Sequence, residues 1–126
     1  MWFYDEKRVF PDGNAVPAGD DDFMVEEARK MYHKISAETG EFIDFMIEHE
    51  LMDLKNKPGK AATGYMTFLP DYRAPFVFSN FNQTIFDMQV RTHELGHAFA
   101  GYMAMREQPI TEYYSESTDI AEIHSM

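Results

Sequence analysis

The amino-acid sequence predicts an α+β fold that is mainly helical, with a β-hairpin or small antiparallel sheet packed beside one long helix. Three observations support this prediction. Apolar residues recur at helical spacing near residues 22–54 and again near residues 84–106. Two short runs rich in β-branched and aromatic residues lie between these stretches. No repeat or low-complexity linker divides the 126 residues, of which 44% are hydrophobic, so the chain is expected to form one domain.

The first 54 residues are predicted to form a short strand and two helices. Residues 1–10 are expected to form the strand, and the turn-forming residues 11–14 end it. Acidic residues at positions 20–22 can cap a helix over about residues 22–36. A second helix is expected over about residues 37–54. Its broad apolar face is formed by Phe42, Phe45, Met46, Ile47, Leu51 and Leu54.

The middle of the chain is predicted to be β-structure. Residues 56–60 include a Pro-Gly pair, which ends the second helix. The β-rich runs lie at residues 65–69 and 76–81. The loop at residues 70–75 contains two prolines and favours a turn, so the two runs are expected to pair as an antiparallel hairpin.

A long helix is predicted for the last third of the chain. It is expected to start at Thr84 or Asp87 and to run to about Arg106, before Pro109. Gly96 lies inside this helix, where a glycine costs about 1 kcal/mol relative to alanine. A glycine retained at such a position usually indicates close packing against another segment.

His93 and His97 lie four positions apart on this helix. Because a helix turns by about 100° per residue, the two side chains share one face, roughly 6 Å apart at Cβ. That spacing lets two imidazole nitrogens bind one Zn²⁺ at about 2.0–2.1 Å. Glu94 can lean over the open coordination position and is the candidate general base for a water molecule whose pKa zinc lowers towards about 7. The same spacing also occurs in ordinary amphipathic helices without a metal.

A third protein ligand is expected from a separate segment, because two histidines leave a catalytic zinc ion one ligand short. Glu122 is preferred, since residues 119–123 mix apolar and acidic side chains as a helix with a buried face does. Glu116, the alternative, lies among hydroxyl residues typical of a helix start. Asp119 either accepts a hydrogen bond from a ligand histidine or only stabilises the start of its own helix. His124 lies about 200° around the helix from Glu122 and cannot bind the same ion from that face.

These residues resemble the M3 metallopeptidases, specifically the oligoendopeptidase F branch. The resemblance is carried by residues 93–99, His-Glu-Leu-Gly-His-Ala-Phe, and by residues 119–126, Asp-Ile-Ala-Glu-Ile-His-Ser-Met. It covers nearly the whole chain, extending through residues 10–14, 30–33, 56–60, 64–67 and 74–81.

The resemblance implies a zincin-like catalytic core that holds one Zn²⁺ per chain. Carried over position by position, the ligands of the family fall on His93, His97 and Glu122, and its general base falls on Glu94. This selects Glu122 over Glu116. The implied activity is hydrolysis of internal bonds in short peptides, by water that zinc activates.

The predicted hairpin offers a candidate substrate site. In zinc peptidases such a strand often lies beside the active-site helix, and a free strand edge can hold an extended peptide by adding a strand. Gly64 and Tyr65 begin this strand and are the candidate substrate contacts. The alternative is that the hairpin only covers the apolar faces of the helices.

Members of this family are several times longer than this chain. The family also places a histidine and tyrosines in a later loop, where they stabilise the oxyanion, and the chain ends at Met126 before that loop. Residues 1–126 are therefore expected to be a single, partial domain. Loss of an oxyanion donor costs on the order of 10²–10³ in turnover. The alternative to a peptidase is a non-catalytic zinc-binding or self-associating fragment, which forms a homo-oligomer or associates with the missing segments.

Charge and composition exclude several other classes of function. The net charge of −11 and pI near 4.7 argue against partners such as nucleic acid and anionic membrane surfaces. No stretch approaches about 20 apolar residues, and the first residues lack the pattern of a secretory signal. The chain has no cysteine, which leaves histidine and carboxylate as its strong zinc ligands. A cytoplasmic location is inferred.

Overall fold

In the part of the chain that the structure describes, four helices combine with a small mixed sheet. The computed structural model describes residues 12–61, 63–82, 84–115 and 117–126. The predicted strand over residues 1–10 lies outside the described residues. In chain order the elements are α1 (Asp21–Ile35), α2 (Ala37–Glu48), β1 (Met52–Lys55), β2 (Tyr65–Leu69), a 3₁₀ turn (Pro70–Tyr72), β3 (Ala74–Phe81), α3 (Ile85–Glu107), a second 3₁₀ turn (Thr111–Tyr113) and α4 (Thr118–Ser125).

The two N-terminal helices start at polar side chains that cap their free backbone amides. Asp20 Oδ1 accepts a hydrogen bond of 3.0 Å from the amide of Phe23 at the start of α1, as its sequence position predicts. Ser36 separates α1 from α2 and forms a capping box with Thr39, whose amide donates to Ser36 Oγ at 3.2 Å. The two helices contact each other, since Asp44 of α2 is hydrogen-bonded to Arg29 and His33 of α1.

The prediction of a helix over residues 37–54 is wrong for its last six residues. Helix α2 ends at Glu48, and Glu50 adopts a left-handed conformation with φ of 53°. The amides of Glu50 and Leu51 donate to the carbonyls of Ile47 and Met46, the hydrogen-bond pattern of a Schellman cap. The chain then leaves the helix axis and forms β1.

The sheet has the strand order β1-β3-β2. Strands β2 and β3 pair antiparallel, with Tyr65 opposite Phe78, which confirms the predicted hairpin. Strand β1 pairs parallel to β3, with Met52 opposite Val77, so the sheet is mixed rather than antiparallel. Within the described sheet, β2 lies at one edge and pairs with β3 only.

Helix α3 lies against the sheet and completes the core. Its boundaries match the prediction of a helix from Thr84 or Asp87 to about Arg106 within one or two residues. Gly101 lies close to Phe68, since a Cβ atom there would be 2.5 Å from Phe68 Cε1. No helix in the described part of the chain is long and apolar enough to cross a membrane. The core comprises Tyr32, Phe42, Ile43, Met46, Leu54, Val77, Leu95, Ala98 and Tyr102.

Candidate metal centre

The two histidines of α3 face each other across one helical turn. His93 Nε2 and His97 Nε2 lie 3.1 Å apart, and the rings meet edge to face with centroids 4.6 Å apart. Both side chains are partly exposed, at 39% and 16%. The helical spacing therefore directs two ring nitrogens towards one point at the protein surface.

Helix α4 brings Glu122 to the same point. Glu122 Oε2 lies 3.5 Å from His93 Nε2, and Glu122 Oε1 lies 3.8 Å from His97 Nε2. Of the described residues, these three form the group of histidine and acidic side chains that could hold a metal ion. Four donors arranged tetrahedrally at 2.0–2.1 Å from zinc are about 3.3 Å apart. The two ring nitrogens are separated by close to this distance, and with one donor atom taken from each residue the three donors lie within 4.8 Å of one another.

Gly96 allows α4 to lie this close to α3. A Cβ atom at Gly96 would overlap the carbonyl oxygen of His124 and would lie 2.7 Å from Ser125 Cα. The predicted close packing at Gly96 is thus confirmed, and the packed partner is the backbone of the helix that carries Glu122. A side chain at position 96 would push that helix away from the histidines.

Glu94 lies beside these three residues and is buried between α3 and β2. Its Cγ would be 3.7 Å from a Cβ atom at Gly64, just before β2 begins. Burial is the main cause that raises the pKa of Glu94 above its ordinary value, while His93 and His97 oppose this shift. A carboxyl group in this setting is suited to holding a proton transiently.

The other predicted site residues have different surroundings. Asp119 is exposed, and among the described residues no hydrogen bond joins it to His93 or His97. Its proposed role as a histidine partner stays a prediction. Glu116, the alternative ligand, lies outside the described residues. His124 is exposed and is not among the converging donors, as its position on α4 predicts.

Gly64 and Tyr65 lie at the start of β2, whose outer edge is unpaired within the described sheet. Tyr65 is 45% exposed, and its ring stacks on Phe78 of β3 with centroids 4.9 Å apart. A Cβ atom at Gly64 would lie 2.7 Å from Val90 Cγ1, so a larger residue there would disturb α3. Tyr65 is therefore the better position for testing the strand edge.

The sequence analysis missed one residue of this site, Ser125. Its hydroxyl donates a hydrogen bond of 2.8 Å to Oε2 of Glu122. The available signal was spacing, since residues three apart on a helix are neighbours and serine can donate to a carboxylate.

Comparisons with known proteins identify the family and similar solved structures. The profile of peptidase family M3 matches residues 23–126. No match was found among curated proteins. Solved structures similar to the chain include a protein assigned as oligoendopeptidase F, with 51% identity and a TM-score of 0.94 over 98% of this chain and 22% of that chain.

Two further structures extend the likeness. PZ peptidase A with an inhibitor has 51% identity and a TM-score of 0.94, over 98% of this chain and 22% of that chain. A protein assigned as oligoendopeptidase F from Bacillus anthracis has 47% identity and a TM-score of 0.95, over 99% of this chain and 23% of that chain. The chain thus spans less than a quarter of the length of the structures it matches.

Proposed function

The chain belongs to peptidase family M3, and from this premise we propose that it is the catalytic segment of a zinc endopeptidase that cleaves internal bonds of short peptides. The observation that carries the proposal is the convergence of His93, His97 and Glu122. Two neutral nitrogens and one carboxylate oxygen are a common ligand set of catalytic zinc, which leaves a fourth position open. The names of the similar structures, oligoendopeptidase F and PZ peptidase A, support a peptide substrate.

In this proposal the chain's own residues bind the metal and move the proton. Zn²⁺ held by the three ligands would lower the pKa of a water molecule towards about 7 and polarise the carbonyl group of the scissile bond. Glu94 accepts a proton as water attacks the carbonyl carbon. It then donates that proton to the amine nitrogen as the carbon–nitrogen bond breaks. Its burial beside the ligands supports this role.

The edge of β2 opposite β3, which has no partner strand among the described residues, is the proposed binding surface for the peptide backbone. It begins at Gly64 and Tyr65, next to Glu94, so a peptide paired along it would pass in front of the ligands. Main-chain hydrogen bonds of an added strand give affinity that depends little on the peptide sequence. This suits an enzyme that acts on varied short peptides.

A second candidate is a metal-binding segment that is inactive alone and functions in association with more polypeptide. Two observations favour it. The chain spans 22–23% of the matched structures. Helix α4 and the residue that follows it also expose apolar side chains, with Ile120 48%, Ile123 65% and Met126 94% exposed. Association with further segments, or between two copies, would bury this surface.

A zinc titration tests the metal site that both candidates share. The 126-residue chain is expected to bind one Zn²⁺, and His93→Ala and Glu122→Ala are each expected to lose it. His124→Ala is the matched control, because His124 is exposed on the same helix as Glu122 and should leave binding unchanged. Absence of zinc binding in the wild-type chain would contradict the proposal, as would full binding by His93→Ala.

A further inference from the structure

Ser125 contacts the one ligand of the site that comes from outside α3. Its Oγ donates a hydrogen bond of 2.8 Å to Glu122 Oε2 and also lies 3.2 Å from the Glu122 carbonyl oxygen. Oε2 is the carboxylate oxygen that lies 3.5 Å from His93 Nε2. The hydrogen bond therefore holds an oxygen that faces the histidines.

Glu122 needs such a contact because its side chain has three rotatable bonds and is 45% exposed. Among the described residues, Ser125 is the one side chain that donates a hydrogen bond to this carboxylate. Holding a flexible side chain in one conformation costs conformational entropy. When a hydrogen bond already holds the side chain before the metal binds, less conformational entropy is lost on metal binding.

The backbone of Ser125 is itself held in place. Its Cα would lie 2.7 Å from a Cβ atom at Gly96. Residue 125 therefore packs directly against the backbone of α3, in the turn that separates His93 from His97. Ser125 is thus fixed relative to His93 and His97, and through its hydroxyl it fixes Glu122 relative to them as well.

We propose that Ser125 is a positioning residue that orients the Glu122 carboxylate for metal binding. The inference rests on the proposed function, since it takes Glu122 to be a zinc ligand. Hydrogen bonds to metal ligands orient them and increase their affinity, and their removal commonly costs about 10- to 100-fold in metal affinity.

A merely structural role for Ser125 predicts a different result. Alanine has a higher helix propensity than serine, so Ser125→Ala should leave α4 as stable as before or slightly more stable. If the hydroxyl had no part in orienting Glu122, metal affinity would therefore stay constant or rise. A lower affinity in a chain of unchanged helicity is expected only from a positioning role.

The test measures Zn²⁺ affinity of the 126-residue chain by competition with a chromogenic chelator. Ser125→Ala is expected to bind Zn²⁺ at least about 10-fold more weakly than wild type. Ser125→Thr keeps a hydroxyl and is expected to restore most of the affinity. Ser117→Ala is the matched control at the residue before the same helix, because the Ser117 side chain makes no capping hydrogen bond.

Two further measurements distinguish failure of the Ser125 positioning role from failure of the proposed function. Far-UV circular dichroism of the metal-free variants should match wild type, and the Co²⁺ absorption spectrum of Ser125→Ala should differ from that of wild type because the carboxylate is displaced. Wild-type affinity and an unchanged Co²⁺ spectrum in Ser125→Ala would overturn the positioning role alone. A wild-type chain that binds neither ion would overturn both this role and the proposed function.

Discussion

Gly96 and His124 touch through their backbones: a Cβ atom at Gly96 would overlap the His124 carbonyl oxygen. Gly96 immediately precedes the proposed ligand His97 on α3, and His124 lies two residues after the proposed ligand Glu122 on α4. The contact therefore sets the distance between the two helices at the level of the candidate metal site. The glycine costs α3 about 1 kcal/mol in helix propensity, and it permits the three candidate ligands to converge from two helices.

Gly96→Ala is expected to weaken zinc binding while α3 remains helical. The added methyl group meets backbone atoms of α4, which cannot rotate away, so α4 must shift. Overpacking of this kind costs about 1–3 kcal/mol, which corresponds to roughly 5- to 150-fold in Zn²⁺ affinity if it acts on the docking of α4.

Gly101→Ala is the matched control for this variant. It makes the same change in the same helix, but its methyl group meets the side chain of Phe68, which can move. Zinc competition should separate the two variants. Equal affinities of Gly96→Ala and wild type would show that the backbone contact does not set the ligand geometry.

Tyr65→Ala tests the strand edge as a peptide site. We expect KM for a short peptide to rise several-fold with kcat nearly unchanged, because the ring lies at the start of the β2 edge and takes no part in the proton transfer. The loss of its stacking on Phe78 should cost about 0.2–1 kcal/mol in stability. Tyr72→Ala, at an 80% exposed position in the turn after β2, is the control. A fall in kcat at constant KM would exclude the strand edge as the binding surface.

Asp21→Asn is expected to destabilise the fold by about 2–4 kcal/mol, because it removes the charge partner of the buried Arg91 guanidinium. Arg91 Nη2 donates to Asp21 Oδ1 at 2.9 Å, and among the side chains that the structure describes its buried Nε and Nη1 have no hydrogen-bond partner. Urea denaturation measures the change. Asp22→Asn is the control, since that side chain is 87% exposed. Equal midpoints for the two variants would contradict a role of the Arg91 pair in stability.

Glu50→Gly is expected to stabilise the fold by up to about 1 kcal/mol. Glycine adopts the left-handed conformation of residue 50 without the roughly 1–2 kcal/mol of strain that other residues carry there. The greater conformational entropy of glycine in the unfolded state offsets part of this gain. Glu48→Gly, within α2, should instead lose about 1 kcal/mol. Thermal unfolding of both variants gives the comparison, and a lower melting temperature for Glu50→Gly than for Glu48→Gly would contradict the capping geometry.

Signals within a few neighbouring residues predicted most of the helices and the hairpin. Asp20 caps α1, and the proline-containing loop predicted at residues 70–75 reverses the chain between β2 and β3. Both structures depend on adjacent residues. The histidine pair on α3 likewise follows from helical spacing alone. Such features need no information about distant parts of the chain.

Strand β1 could not be predicted in the same way. Leu51 and Leu54 continue the apolar pattern of α2, and the cap at Glu50 lacks the glycine that usually marks one. What makes residues 52–55 a strand is pairing with β3, more than twenty residues later, and that contact leaves no local signal. The contact of Ser125 with Glu122 was missed because helical spacing allows many such pairs without requiring any.

The measurement that tests the central claim most directly is hydrolysis of an internally quenched peptide library by the 126-residue chain with stoichiometric Zn²⁺. We expect turnover that a chelator abolishes and added zinc restores. Glu94→Gln should bind zinc normally and show no turnover, because it keeps the ligands and loses the base. Full activity in Glu94→Gln would contradict the proposed mechanism. Zinc binding without turnover in the wild-type chain would contradict a peptidase that is complete within these residues.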